Sequence, residues 1–284
     1  MSTAALSTID TPGLVNVNVD ETVEMLGTCL LVQKRDGHRL TTDALLLSDF
    51  AAETLAVSLP CAVPSSTAIT TSTATPVSSA SPDSEDNRGE FTLEPEAETR
   101  GYVEAPVVDI GTGNGAIGIM LARRTLLGNI VGVELQSELA ELAERNVGAN
   151  KLKERISIMG CDYRELPLKF KAGSCALVIS NPPYIKAGSG RPAENESRRV
   201  ARSEVYGTLA NLVGVTSYLI GDRGRACFIY PVIRYGEMLD ELKRAELKVR
   251  RIRFIHTTPE GDAVRFLIEI GRTGNHVTED PIFL

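Results

Sequence analysis

The sequence predicts a doubly wound α/β fold with a mostly parallel sheet and an antiparallel C-terminal strand. Three observations carry that expectation. From residue 105 onward, short apolar runs alternate with longer amphipathic stretches, which is the signature of strand–helix–strand units. The first run ends in a glycine-rich turn, Asp109 to Gly115, and the second ends in an acid, Glu134. The last two runs follow each other without an intervening helix, so they are expected to pair antiparallel.

The elements follow in chain order. Leu30-Leu31-Val32 reads as a strand, and Asp36-Gly37 is a hairpin-turn signal. Asp43 is placed to cap a helix over Ala44 to Ala52. Val107 to Ile110 is a buried-strand run, and Ala116 to Arg124 a helix. Ile130 to Val133 is the next strand, and Leu135, Leu139, Leu142, Ala143 and Val147 then keep helical spacing. Ile156 to Met159 and Ala176 to Ile179 are two more strands. Leu209 to Ile220 is helical, with Thr208 as its cap. Ala226 to Tyr230 is a strand and Glu237 to Ala245 a helix. Val249 to Ile255 and Val264 to Ile270 close the chain as strands. No internal repeat is present.

The chain divides into three parts. Residues 1–56 form an N-terminal segment expected to pack on the cofactor site, and residues 105–284 form the main domain. Between them, 57–104 reads as a low-complexity linker or insertion. Thr54 to Pro82 carries no charge and is rich in Ser, Thr, Ala and Pro, and an acidic patch follows. Such a segment buries too little apolar surface to offset its ordering entropy.

With 284 residues and 43% apolar composition the chain can bury a sizeable core. No long apolar run predicts a membrane span, and Met1 to Asp10 does not read as a signal peptide. The 5 cysteines are scattered and form no C-x-x-C pair, so neither a disulfide framework nor a metal site is expected. A reducing, cytoplasmic compartment is the expectation. The net charge of -7 conceals a split, because residues 1–104 balance at -11 and residues 105–284 at +4. The second part can therefore meet a polyanion through a local basic face.

The chemistry-bearing motifs fall at strand ends. Asp109, Gly111, Thr112, Gly113 and Gly115 make a tight turn that a ligand can approach closely. Glu134 is placed to accept hydrogen bonds from ribose hydroxyls. Together they specify an adenosine-bearing cofactor without saying which, since Gly113-x-Gly115-x-x-Gly118 also satisfies the dinucleotide fingerprint. Asp162, after the third strand of the domain, suits the amino group of an adenine ring or, more plainly, a turn. Asn181-Pro182-Pro183-Tyr184 ends the fourth strand, on the same side of the sheet. Its two prolines remove two N–H donors and leave acceptors, the Asn181 side-chain oxygen and the Pro182 carbonyl. Two acceptors suit an –NH2 group, and Tyr184 offers a face on which a planar base can stack.

These residues resemble class I S-adenosylmethionine-dependent methyltransferases with a Rossmann-like fold. More closely, they resemble the bacterial tRNA(Val) adenine-N6 methyltransferase family. The resemblance rests on Gly37 to Leu47, Gly132 to Gln136, Ser180 to Tyr184, Ala201 to Glu204 and Gly224 to Pro231. It implies S-adenosyl-L-methionine as cofactor and RNA, most of all tRNA, as substrate. The glycine loop and Glu134 would hold the methionine and ribose parts, and Asp162 the adenine. Thr42 and Asp43 would close over the cofactor. Asn181, Pro182, Pro183 and Tyr184 would hold the target amine, with Asn181 also expected at the cofactor and with no metal. Two features depart from the family: Ser203 stands where many relatives carry His, and the long segment after the N-terminal signature is unusual.

Lys186, Arg191, Arg198, Arg199 and Arg202 follow the motif and are expected to contact RNA phosphates. A second basic run, Lys243, Arg244, Lys248, Arg250, Arg251 and Arg253, suits phosphates or a solvated face equally. Other readings stay open at this level. A release-factor glutamine-N5 methyltransferase shares the motif, including Ile185, but resembles its relatives in a helical N-terminal domain that is not evident here. A DNA adenine methyltransferase would need a separate target-recognition domain. An NAD-dependent oxidoreductase and a non-catalytic RNA-binding module are the readings from other classes. The sequence leaves the oligomeric state open.

Overall fold

The structure, a computed structural model, describes residues 17–35, 42–58, 105–182 and 207–284. The first described element is a hairpin of β1 (Glu21–Leu26) and β2 (Cys29–Lys34). Leu26 pairs with Cys29 across a two-residue loop. Gly27 takes φ 57° there, as a tight hairpin turn asks of its first loop residue. The turn expected at Asp36-Gly37 lies outside the described residues, and β1 was not anticipated.

Helix α1 (Thr42–Ser58) runs further than the sequence suggested, two residues past the boundary placed at 56. The reason is burial. Leu47, Phe50, Ala51 and Leu55 all sit in the core, and Thr54 is buried with its hydroxyl on the Phe50 carbonyl at 3.1 Å. A segment that reads as the start of a polar linker is thus the last turns of a packed helix.

The main sheet is built from β3 (Val107–Ile110), β4 (Ile130–Glu134), β5 (Ile156–Gly160), β6 (Leu177–Ser180), β7 (Arg225–Pro231), β8 (Lys248–His256) and β9 (Ala263–Gly271). Their order across the sheet is β5-β4-β3-β6-β7-β9-β8. Six of the seven strands run in one direction, and only β9, inserted between β7 and β8, is antiparallel to its neighbours. The expected antiparallel close is therefore present. Two short strands, β10 (Val277–Thr278) and β11 (Ile282–Phe283), run along the outer edge of β8.

Both faces are covered, which is why the strands read as nearly continuous apolar runs. On one face lie α1, α2 (Ala116–Arg124) and α3 (Ser137–Ala149), packed over Val107, Ile130, Leu177, Cys227 and Leu267. On the other lie α5 (Leu209–Ile220) and α6 (Tyr235–Arg244), packed over Val108, Val131, Val178, Phe228 and Ile268. A short helix α4 (Leu166–Lys169) precedes β6. Thr208 caps α5 through a reciprocal capping box with Asn211. The strand order reverses between β3 and β6, and in such sheets the ligand crevice opens at that point, beyond the carboxyl ends.

Much of the second basic run belongs to the structure rather than to a surface. Arg251 lies 3.8 Å over the Phe50 ring and pairs with Glu53, Glu269 and Glu279. It also donates to the Phe50 carbonyl and the Thr54 hydroxyl. Arg250 pairs with Glu269 at 3.0 Å, and Arg253 donates to the Asp280 carbonyl at 2.9 Å. These side chains tie α1 and the C-terminal strands to β8 and β9.

Candidate functional site

The loop after β3 is shaped by three left-handed glycines: Gly111, Gly113 and Gly115 have φ of 73°, 58° and 82°. Gly111 and Thr112 both donate to the Val133 carbonyl, at 2.9 and 3.0 Å, so the turn folds over the end of β4. Thr112 donates its hydroxyl to Asp109 at 2.7 Å. Gly132 makes this possible, since a Cβ there would stand 2.9 Å from the Thr112 side chain. Glu134 is buried and accepts from the Gly113 N–H at 2.9 Å and the Gln136 N–H at 3.0 Å, one on each oxygen. Asp109 is fully buried, and burial pushes its carboxyl up to about 7. The Thr112 hydroxyl pulls it back, while the Glu134 charge raises it further.

The strand register gathers the other acids and amides at one edge. Ile110 is paired with Val133 and with Ser180, and Glu134 with Gly160. The glycine loop, Glu134, Asp162 and Asn181 thus leave adjacent strands on the same side. Ser180 fixes the exit of β6 by donating its hydroxyl to the Ile110 carbonyl at 2.9 Å. Asn181 and Pro182 follow it, both half-buried. Pro183 and Tyr184, and the cations Lys186, Arg191, Arg198, Arg199 and Arg202, lie outside the described residues.

Asp162 caps a 3-10 turn and accepts from the Arg164 N–H at 2.8 Å. The Arg164 guanidinium also sits on its carboxylate and holds it below the usual range. Thr42 is exposed at the start of α1. Asp43 is buried beside it, its pKa raised by burial, and pairs with Arg265 of β9 at 2.9 Å. Arg265 stands opposite Pro231 at the end of β7, so the start of α1 reaches the same edge of the sheet.

Residues 107–204 match the family model described as a methyltransferase domain. A tRNA1(Val) (adenine(37)-N6)-methyltransferase of Porphyromonas gingivalis (strain ATCC BAA-308 / W83) is 30% identical over 174 residues, which is 61% of this chain and 68% of the relative. The protein of the same name from Tolumonas auensis is 34% identical over 140 residues, 49% of this chain and 56% of that one. The chain belongs to this methyltransferase family. Among solved structures, M. jannaschii TYW2 in complex with AdoMet superposes with a TM-score of 0.51 at 14% identity, over 92% of this chain and 90% of that one, which speaks for the fold alone.

The residues of this methyltransferase fit S-adenosylmethionine. The ligand carries an ammonium and a sulfonium beside its carboxylate, and the carboxylates Asp109, Glu134 and Asp162 stand at this edge, Asp162 already paired with Arg164. Nothing lies within 4 Å of where a side chain would begin at Gly111 or Gly113, so the loop backbone is open to a close approach. Asp109 Oδ1 is buried without a hydrogen-bond partner, and Glu134 keeps a free lone pair on each oxygen. Sequence reasoning missed two supports of this loop. Gly132 could have been found as a lone glycine inside a strand, which often marks close approach of another chain segment. Asn146, on α3, carried no local signal.

Proposed function

We propose that this chain is an S-adenosylmethionine-dependent N6-adenine methyltransferase acting on tRNA. The observation that carries the reading is the convergence of the glycine loop, Glu134 and Asn181-Pro182 at one switch point of the sheet. The relatives it matches are named for that reaction. In this reading Asp109, Gly111, Thr112, Gly113, Gly115 and Glu134 hold the methionine and ribose parts, and Asp162 the adenine ring. Thr42 and Asp43 close the N-terminal segment, residues 1–56, over the same crevice. Bound S-adenosylmethionine supplies an electrophilic methyl group on sulfur.

The chain's own residues then do the positioning. The target adenine is taken from its stack, at a cost of a few kcal/mol. The Asn181 oxygen and the Pro182 carbonyl accept the two N6 hydrogens, and Tyr184 stacks on the ring. Drawing the hydrogens toward acceptors enriches the nitrogen and aims it at the methyl carbon. As the N–C bond forms the S–CH3 bond would break with the thioether as leaving group, and the N6 proton, now on a cationic nitrogen, would pass to solvent, so no strong base is needed. Orientation supplies most of the acceleration. Lys186, Arg191, Arg198, Arg199 and Arg202, which follow the motif in sequence, contact RNA phosphates in this reading.

Asn181→Ala separates binding from chemistry. Methyl transfer is expected to fall by more than about a hundredfold, the scale on which losing a positioning contact acts. S-adenosylmethionine affinity, measured by calorimetry, should stay within a few-fold. Wild-type turnover in this variant would contradict the assignment.

A further inference from the structure

Two asparagines at the C-terminal end of α3, Asn146 within it and Asn150 at its C-cap, act as the next strand of the hairpin. Asn146 and Asn150 stand one turn apart, both buried, and face the free edge of β2. Asn146 accepts from the Val32 N–H at 2.8 Å and donates to the Val32 carbonyl at 2.9 Å. Asn150 repeats the pattern on Leu30, accepting at 3.0 Å and donating at 2.6 Å. Alternate residues of a strand present their N–H and C=O on one side, so two side-chain amides satisfy an edge that would otherwise stay open. The hairpin is held from a second point, where Arg145 pairs with buried Glu21 and holds its carboxyl down to about 2.

The two amides differ in their remaining hydrogen. Asn150 spends its own on the Asn146 carbonyl, within α3. Asn146 donates to the Asn114 carbonyl at 2.9 Å, inside the glycine loop. That loop is therefore gripped from two sides: Glu134 holds the Gly113 N–H, and Asn146 holds the next carbonyl. Gly115 rests directly on α3, where an added Cβ would meet Ala143 at 3.3 Å.

We propose that Asn146 is a positioning residue for the cofactor loop, coupling the docked N-terminal hairpin to the backbone that receives S-adenosylmethionine. The inference rests on the reading of Gly111–Gly115 as the cofactor loop. Asn146 is fully buried, and it acts by fixing the peptide between Asn114 and Gly115. Coupling is reciprocal, so cofactor binding must in turn steady the hairpin.

Asn150→Ala is the internal control, because it frees the same strand edge without touching the loop. Asn146→Ala is expected to raise the Kd and the KM for S-adenosylmethionine roughly tenfold, the scale of a lost buried hydrogen bond. Its kcat at saturation and its KM for tRNA should stay within about twofold. Asn150→Ala should lower the melting temperature comparably yet leave the cofactor Kd within about threefold. Equal effects of both variants on the Kd, or none from Asn146→Ala, would overturn the proposal. The wild-type protein gives a second test that needs no variant. S-adenosylmethionine should slow hydrogen exchange of the amides at Leu30 and Val32, and unchanged exchange would overturn it. Absence of wild-type binding would overturn the cofactor reading itself, and the coupling with it.

Discussion

At the scale of single residues, the site is a set of backbone groups held by carboxylates. Asp109 has the largest consequence for pH dependence. Its carboxyl titrates near 3.8 unfolded and is pushed up to about 7 in the folded chain. Between those values the folded state holds more protons, so this residue makes stability fall as pH rises from about 4 to 7 and level off above. Asp109→Asn removes the titration. Without ligand, the variant should gain stability relative to wild type as pH rises through that window, read from urea midpoints at several pH values. A difference independent of pH would show that Asp109 is ionised in the folded state. Asp109, Glu134 and the three loop glycines were legible in the sequence because turns and strand ends are local features. Asn146 was not, because its partner Val32 lies 114 residues away and nothing near either residue announces the other.

At the scale of elements, the sheet from β3 to β9 was read nearly residue by residue, since buried strands and amphipathic helices carry their period in sequence. The short, mostly exposed edge strands β10 and β11 were missed for want of a pattern, and two further errors fall where polar residues are buried. Strand β1 begins with Glu21, whose burial is compensated by Arg145, so its inward position looked like a solvent one. The C-terminal turns of α1 contain Thr54, whose hydroxyl accepts from Arg251 and has the Glu269 carboxylate at 3.0 Å and the Phe50 carbonyl at 3.1 Å as alternative acceptors. Only the packing of α1 on the sheet explains why that stretch is helical. Leu47, fully buried on this helix, is therefore a core residue of the whole domain. Leu47→Ala should cost about 2–5 kcal/mol of unfolding free energy by urea denaturation. A cost well below 1 kcal/mol would mean that α1 is a dispensable appendage.

At the scale of the molecule, α1 packs against one face of the sheet and the β1–β2 hairpin is hydrogen-bonded to the C-terminal end of α3. Residues 59–104, which follow the end of α1, are proposed to be a connector without a part in chemistry, because their composition is poor in core-forming residues. Replacing residues 60–100 with a Gly/Ser linker of about 15 residues, which spans on the order of 20 Å, should leave melting temperature and turnover unchanged within about twofold. Loss of turnover with an intact fold would assign that segment a role. Among the described residues no helix is long and apolar enough to cross a membrane, and no His, Cys, Asp and Glu group is arranged to hold a metal. The direct measurement is methyl transfer from labelled S-adenosylmethionine to total tRNA, with release factor and DNA in parallel, followed by nucleoside analysis by mass spectrometry. N6-methyladenosine in tRNA, absent with Asn181→Ala, is the predicted result; label on a release-factor glutamine with none in tRNA would contradict the account.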